Sequence, residues 1–229
     1  MPPVLRTRGH APPELVALSC PPAVATGIGP RHRTVDNGHM SDIWTIGTLK
    51  AQPALDRPDL LADPVAESIR SWPVESVAVD QVRVAEIDPE LADTAAFCAS
   101  YDVPLDRSAN CVIVAGRRAG EVRYAAAMIL ATTRADVNGV VRRHLDARKA
   151  SFAPMDDAVA ATCMEYGGIT PLGLPDTWPV LVDARVAGTD LVVIGSGLRR
   201  SKLLVPGRAL AALPGAVVLS NLAQPVAGG

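Results

Sequence analysis

Apolar and polar positions come in short bursts along this chain, and the period changes from one burst to the next. After Pro64, Val65 and Ile69 stand at helical spacing with Glu67 and Arg70 around them, and Pro73 ends the run, so a short amphipathic helix is predicted there. Val77, Val79, Val82 and Val84 give a broken two-residue alternation that predicts a strand near residues 76–87. Asp88 followed by Pro89 reads as a cap and a first-turn proline, opening a helix through Leu91, Ala95 and Cys98 that closes before Pro104. Residues 111–115 and 122–131 are apolar runs separated by a turn at 116–120, the pattern of a hairpin in a buried sheet. Asp136 or Asn138 can cap a helix carrying Val140, Val141 and Leu145, and Pro154 with Asp156 and Asp157 opens another. Short strands follow at 180–182, 191–194, 203–205 and 216–219, with a helix over 206–213 between the last two. Strands and helices do not alternate regularly, so the expected class is α+β with a mixed sheet rather than a doubly wound fold.

Composition divides the chain. Residues 1–39 are Pro-rich, with three Pro-Pro pairs and no helical or strand period, and are expected to be a disordered extension for which Met40 would be the working start. Residues 40–75 form an N-terminal segment with the short helix, residues 76–222 the body, and residues 223–229 a flexible tail. The uncharged stretch near residues 15–30 is broken by Pro21-Pro22 and lacks a convincing cleavage site, so it is not read as a secretion signal. No apolar run approaches the roughly 20 residues a bilayer span needs. A formal net charge of −2 and only two Phe, three Trp and three Tyr argue against a globally basic DNA binder or an aromatic RNA platform. Any nucleic-acid contact must be local.

Cys20, Cys98, Cys111 and Cys163 form no CxxC pair, which removes a zinc ribbon or a thioredoxin-type motif and makes a reducing, cytoplasmic setting the default. Three of the four histidines lie in the first 39 residues; His144 alone remains in the body, leaving a His metal site or a Ser-His-Asp triad without its parts. No metal site is expected. The most chemical segment is Gly167-Gly168-Ile169-Thr170-Pro171, where glycines permit a backbone that turns amides toward one ligand oxygen. A tight helix-to-strand connection would use the same residues. Gly195-Ser196-Gly197 follows an apolar strand but lacks the third glycine and the helix of a dinucleotide site, so it is read as a turn at a pocket rim with Ser196 offering a hydroxyl. Cations gather at Arg142, Arg143, Arg148 and Lys149 and again at Arg199, Arg200 and Lys202, either as solvated faces or, taken together, as a hold on a phosphate backbone.

The stretch 146–159, continuing through Glu165-Tyr-Gly-Gly-Ile-Thr-Pro171 to Pro179-Val-Leu-Val-Asp183 and Gly195-Ser-Gly197, resembles the YbaK/EbsC family of aminoacyl-tRNA deacylase domains, also found inserted in bacterial prolyl-tRNA synthetases. The resemblance covers roughly residues 75–220. It implies a mixed, barrel-like sheet surrounded by helices, and a pocket for the aminoacyl-adenosine end of a mischarged tRNA. Hydrolysis there uses water and a terminal ribose hydroxyl, without metal or organic cofactor. Gly167 and Gly168 would bind the aminoacyl carbonyl region, with Ile169, Thr170, Pro171, Ser196 and Gly197 shaping the substrate site. Arg142, Arg143, Lys149, Arg199, Arg200 and Lys202 would contact tRNA, and an aminoacyl-tRNA synthetase is a further expected partner. One departure stands out: Asn110 occupies the position where the family carries a catalytic lysine, so Asn110 is expected to face the substrate. Asparagine can hydrogen-bond but supplies no charge, and of the three lysines only Lys149 or Lys202 could stand in. Three functions follow: an editing deacylase acting in trans, a non-catalytic aminoacyl- or nucleotide-binding homologue, or a hydrolase for another small acyl ester or amide. Cys111 beside Asn110 has no histidine base and reads as a core cysteine.

Overall fold

The structure is a computed structural model and describes residues 45–226. The extension expected over residues 1–39 lies outside the described residues. Eleven strands and six short helices are seen among them. In chain order they are β1 (Gln52–Pro53), α1 (Asp63–Arg70), β2 (Arg83–Glu86), α2 (Thr94–Ser100), β3 (Ala109–Arg118), β4 (Glu121–Leu130) and β5 (Thr133–Ala135). There follow α3 (Arg142–His144), β6 (Lys149–Phe152), α4 (Met155–Thr162), β7 (Val180–Asp183), α5 (Ala184–Ala187), β8 (Val192–Gly195), β9 (Ser201–Val205), α6 (Gly207–Ala211), β10 (Ala216–Leu219) and β11 (Ala223–Pro225).

A five-stranded mixed sheet has the order β10-β7-β4-β3-β6, in which β7 runs parallel to β4 and β10 and the other pairs are antiparallel. A four-stranded antiparallel sheet has the order β1-β2-β9-β8, and β5 pairs with β11. A parallel bridge between Ser108 and Val193 joins the start of β3 to β8. The α+β class with a mixed sheet is therefore as expected. The barrel-like form is not: β6 and β10 stay as edges of one sheet and β1 and β8 as edges of the other, so the sheets abut without closing.

Period-two alternation sorts the strands into cores. In the four-stranded sheet Val84, Val192, Ile194, Leu203 and Val205 point into the main core, where they meet Met128, Leu130, Val180 and Val182 of the other sheet and Val65 and Ile69 of α1. The intervening Ala85, Val193 and Leu204 point the other way, onto Phe97 and Cys98 of α2 and onto Ile46 and Leu49. The region 40–75 is thus part of the packed body wherever it is described. Val114, Ala125, Ala127, Ile129 and Leu181 form a third core with Val141, Leu145, Leu222 and Ala223 on the far face of the five-stranded sheet.

Several expectations meet their elements directly. The predicted helix after Pro64 is α1, and Asp88 caps a single 3-10 turn, accepting from the Glu90 amide at 2.9 Å, before α2 begins. Asp136 accepts from Gly139 and Val140 amides at 2.8 and 3.2 Å and caps a π-helical turn, Val137–Val141, that runs on into α3. The hairpin is longer than its apolar runs, turning only at Ala119 and Gly120, both with positive φ. The strand expected over 76–87 is shorter: Val77 is buried in a turn, and Val79–Gln81 is a 3-10 turn. Those valines pack from irregular backbone, which is why the alternation is broken. Ala223–Pro225, expected within a flexible tail, is a strand, and Ala223 is buried.

That last strand depends on one buried carboxylate. Asp183 is 1% exposed; its Oδ1 accepts from the Arg185 amide at 2.9 Å and caps α5, while its Oδ2 accepts from the Ala223 amide at 3.0 Å. Asp183→Ala leaves two amides without their acceptor, and the expected cost in a urea melt is about 2–3 kcal/mol, with loss of hydrogen-exchange protection at Ala223.

Candidate active site

A cavity of about 540 Å³ opens where the two sheets meet, beside the Ser108–Val193 bridge. Its walls come from α2 (Thr94, Phe97), the first half of β3 (Asn110 to Ile113), the segment leading into α4 (Phe152, Ala153, Met155), the glycine loop (Tyr166, Gly167, Ile169) and the end of β8. Lys202 of β9 lines it too. Phe152, Met155 and Tyr166 are exposed and form an apolar mouth.

The loop is held in place by a second glycine turn. The Gly197 amide donates to the Gly168 carbonyl at 2.7 Å, and the Glu165 amide donates to the Gly197 carbonyl at 2.8 Å. A Cβ built on Gly195 would lie 2.2 Å from the Gly168 oxygen, so only glycine lets β8 end against the loop. Gly167 and Gly197 both have φ near +85°. The Gly168 amide donates to the Glu165 carbonyl at 2.9 Å and is occupied inside the loop rather than held open for a ligand. Gly167 and Ile169 face the cavity, whereas Gly168 is not among its walls. Thr170 and Pro171 are buried behind the loop, and the Thr170 hydroxyl has no hydrogen-bond partner.

Ser196 is not at the rim. It is fully buried; its hydroxyl lies 2.8 Å from the Ser201 hydroxyl, 3.0 Å from the Ser201 carbonyl and 3.2 Å from the Leu198 carbonyl, so it closes the turn between β8 and β9. Gly197 likewise shapes the clamp. The turn read from sequence as a ligand rim therefore works one layer back, positioning the loop.

Asn110 does line the cavity, and its Oδ1 accepts from the Thr94 hydroxyl at 2.8 Å, leaving the amide NH₂ as the donor of this side chain. Cys111 follows it, with a thiol so enclosed that burial pushes its pKa up to about 12 although the residue as a whole is only partly buried. A thiolate nucleophile is not available there. Lys202, which the sequence grouped with Arg199 and Arg200 as a cationic cluster and also left as one of two stand-ins for the missing lysine, is not a surface residue. It is only 8% exposed. The strand register sets it between Ala85 and Gly195, on the same face as Leu204, with its Nζ 5.3 Å from the centre of the Phe97 ring. Nζ donates to the Ala92 carbonyl at 2.9 Å and to the Gly167 carbonyl at 3.5 Å. Burial, and then the nearby Arg199 charge, bring its pKa down to about 8. The legible signal was position: a strand beginning at Ser201 puts Lys202 on the inward face with Leu204.

The other cations divide. Arg199 lies over the loop, donating to the Tyr166 carbonyl at 3.3 Å and the Pro89 carbonyl at 3.1 Å, and Arg200 donates to the Asp59 carbonyl. Both are structural staples as well as surface charges. Arg142 and Arg143 line a separate open cleft of about 580 Å³ with Arg118 and Arg148, and Asp146 pairs with Arg118. Lys149 is exposed on the edge strand β6. Among the described residues no group of three or more His, Cys, Asp or Glu side chains comes together as metal ligands, and no helix is long and apolar enough to cross a membrane.

Residues 88–213, more than half of the chain and the part that builds this cavity, match the family described as the aminoacyl-tRNA editing domain. The chain belongs to that family. Solved structures agree on the fold of this editing domain. It is similar to the crystal structure of the hypothetical protein APE2540, with a TM-score of 0.59 at 21% identity over 71% of this chain and 100% of that one. It is also similar to that of a candidate trans-editing enzyme for prolyl tRNA synthetase, with a TM-score of 0.57 at 16% identity over 69% of this chain and 94% of that one. No curated protein matches the chain.

A buried ammonium in the editing domain has a measurable cost. Because the Lys202 pKa is lower in the folded state than in the unfolded chain, the penalty is full below about pH 8 and disappears as pH rises toward the unfolded value of 10.5. Lys202→Met should therefore raise stability near pH 7 by about 1–2 kcal/mol, less than the full desolvation term because the Ala92 carbonyl loses its donor. Denaturation of both proteins from pH 7 to 10 should show the gap narrowing as pH rises.

Proposed function

We propose that this editing domain hydrolyses the ester of mischarged aminoacyl-tRNA, acting in trans. The observation that carries the reading is the cavity itself. It has the size for one amino acid and part of a ribose, is walled on the loop side by Gly167 and Ile169, holds a neutral donor in Asn110 and a buried ammonium in Lys202, and opens through an apolar mouth. Phe152 and Tyr166 at that mouth are exposed aromatic side chains, the residue type on which a terminal adenine stacks.

Arg142, Arg143, Arg118 and Arg148 support the tRNA part of the reading. Ile113 at the cavity wall and Arg118 at the basic cleft stand on one strand, five positions apart, so the cleft is on the order of 17 Å from the cavity. A single-stranded acceptor end bridges that span, which puts phosphates on the arginines when the aminoacyl group is in the cavity. The pocket discriminates among amino acids by fit, where one methylene is worth about 1–3 kcal/mol.

Two measurements test this. Single-turnover release of amino acid from a panel of correctly and incorrectly charged tRNAs should be fast for at least one mischarged species. Absence of release with retained binding of a non-hydrolysable aminoacyl-adenosine would instead make the protein a binding homologue. The double variant Arg142→Gln/Arg143→Gln should weaken tRNA binding and flatten the slope of log K against log salt by about 1.5–2, without changing release from a minimal aminoacyl-adenosine substrate.

A further inference from the structure

We propose that Lys202, entering the cavity from β9, is the catalytic cation of this site, its ammonium donating to the carbonyl oxygen of the aminoacyl ester and stabilising the oxyanion formed there. The inference rests on the deacylase reading and names the residue that supplies its charge.

The geometry singles out this side chain. Of the three lysines in the chain, Lys50 and Lys149 are exposed, and Lys202 alone reaches the cavity. Its strand partner is Gly195, whose missing Cβ leaves the space that the Gly168 and Ile169 carbonyls occupy beside it. Two carbonyls, of Ala92 and Gly167, accept from Nζ, and an ammonium carries three N–H donors, so one remains for a ligand. Among the described residues no carboxylate lies within 4.0 Å of Nζ; the Asp93 carboxylate, at the mouth, is 3.9 Å from Arg199 instead. A cation buried without an anion is expensive and contributes nothing to folding that an apolar residue would not do better. The Asp93 carboxylate and the Cys98 thiol act on it only from beyond contact and do not offset its burial, so it has no anion in contact until negative charge arrives, and in ester hydrolysis that charge develops on the carbonyl oxygen.

The chemistry closes without a further reactant. A water oxygen adds to the ester carbonyl carbon, whose π electrons move to the oxygen facing Lys202. Collapse breaks the bond to the ribose oxygen, which leaves carrying one proton of the water. The other proton departs from the new amino-acid carboxyl group. Lys202 holds its proton throughout. Its lowered pKa, near 8, then sets the upper limit of the active range, since the deprotonated amine has no charge to offer. Asn110 fits the same picture. A second lysine there would set two cations in one cavity, whereas an amide donates without adding charge.

The experiment compares wild type, Lys202→Met, Asn110→Lys and the double variant in single-turnover deacylation of the species wild type releases, together with binding of its non-hydrolysable aminoacyl-adenosine amide. Lys202→Met should lose about 10²-fold or more in the chemical rate. It should keep analogue binding within about threefold, which separates a lost transition-state contact from a collapsed pocket. The wild-type rate should fall as pH rises through about 8, and the double variant should recover part of the lost rate. A Lys202→Met rate near wild type, or a wild-type rate that rises through pH 8 as for a general base, would overturn the assignment while leaving the deacylase reading in place. No release by wild type from any charged tRNA would overturn both.

Discussion

Everything at the candidate site depends on one close approach, the Gly168 carbonyl seated between Gly195 and Gly197. A peptide oxygen can come that near a strand end only where no side chain intervenes, and a Cβ at Gly195 would overlap it. The approach fixes the loop on β8, β8 is paired to β9, and β9 carries Lys202 opposite Gly195. One backbone contact thus sets the distance between the loop and the ammonium. It also explains why Ser196 is buried: its hydroxyl ties the turn from within, so the turn can hold the loop without flexing.

The second organising feature is the cost carried by the cavity. β9 is buried along its whole length, and four of its five residues bury without charge. Lys202 places an ammonium among them, steadied by two carbonyls and the face of Phe97. A strand optimised for stability would hold an apolar residue at that position. Stability given up at a cavity wall, with the charge turned toward the empty space, is the pattern of a preorganised polar site, in which the protein bears the desolvation before substrate binds.

Much of the architecture was legible from local pattern. Helix α1, the caps at Asp88 and Asp136, the β3–β4 hairpin and the strands β7 to β10 all follow from periodicity and capping chemistry over a few residues. The elements that pattern missed are short and irregular: β6 is a polar edge strand with three exposed residues of four, and β11 stands where the chain was expected to be a tail. Edge strands bury little, so they leave little alternation to read. β11 pairs with β5, and its first amide is held by the Asp183 carboxylate 40 positions earlier, contacts that no local pattern records.

The sequence by itself determined the kinds of element, the α+β class and the editing-domain resemblance, and marked the glycine loop that lies beside the cavity, because each is written in residues close together along the chain. Tertiary structure alone decided which side chains share the cavity. Lys202 sits beside two arginines in sequence and looks like them, yet the register of β9 turns it inward while Arg199 and Arg200 stay on the surface. Ser196 and Gly168, neighbours of the site by motif, were assigned to holding rather than touching. The physical reason is the two-residue period of a strand: a shift of one position exchanges a solvated face for a buried one, and only pairing with β2 and β8 sets which face Lys202 occupies.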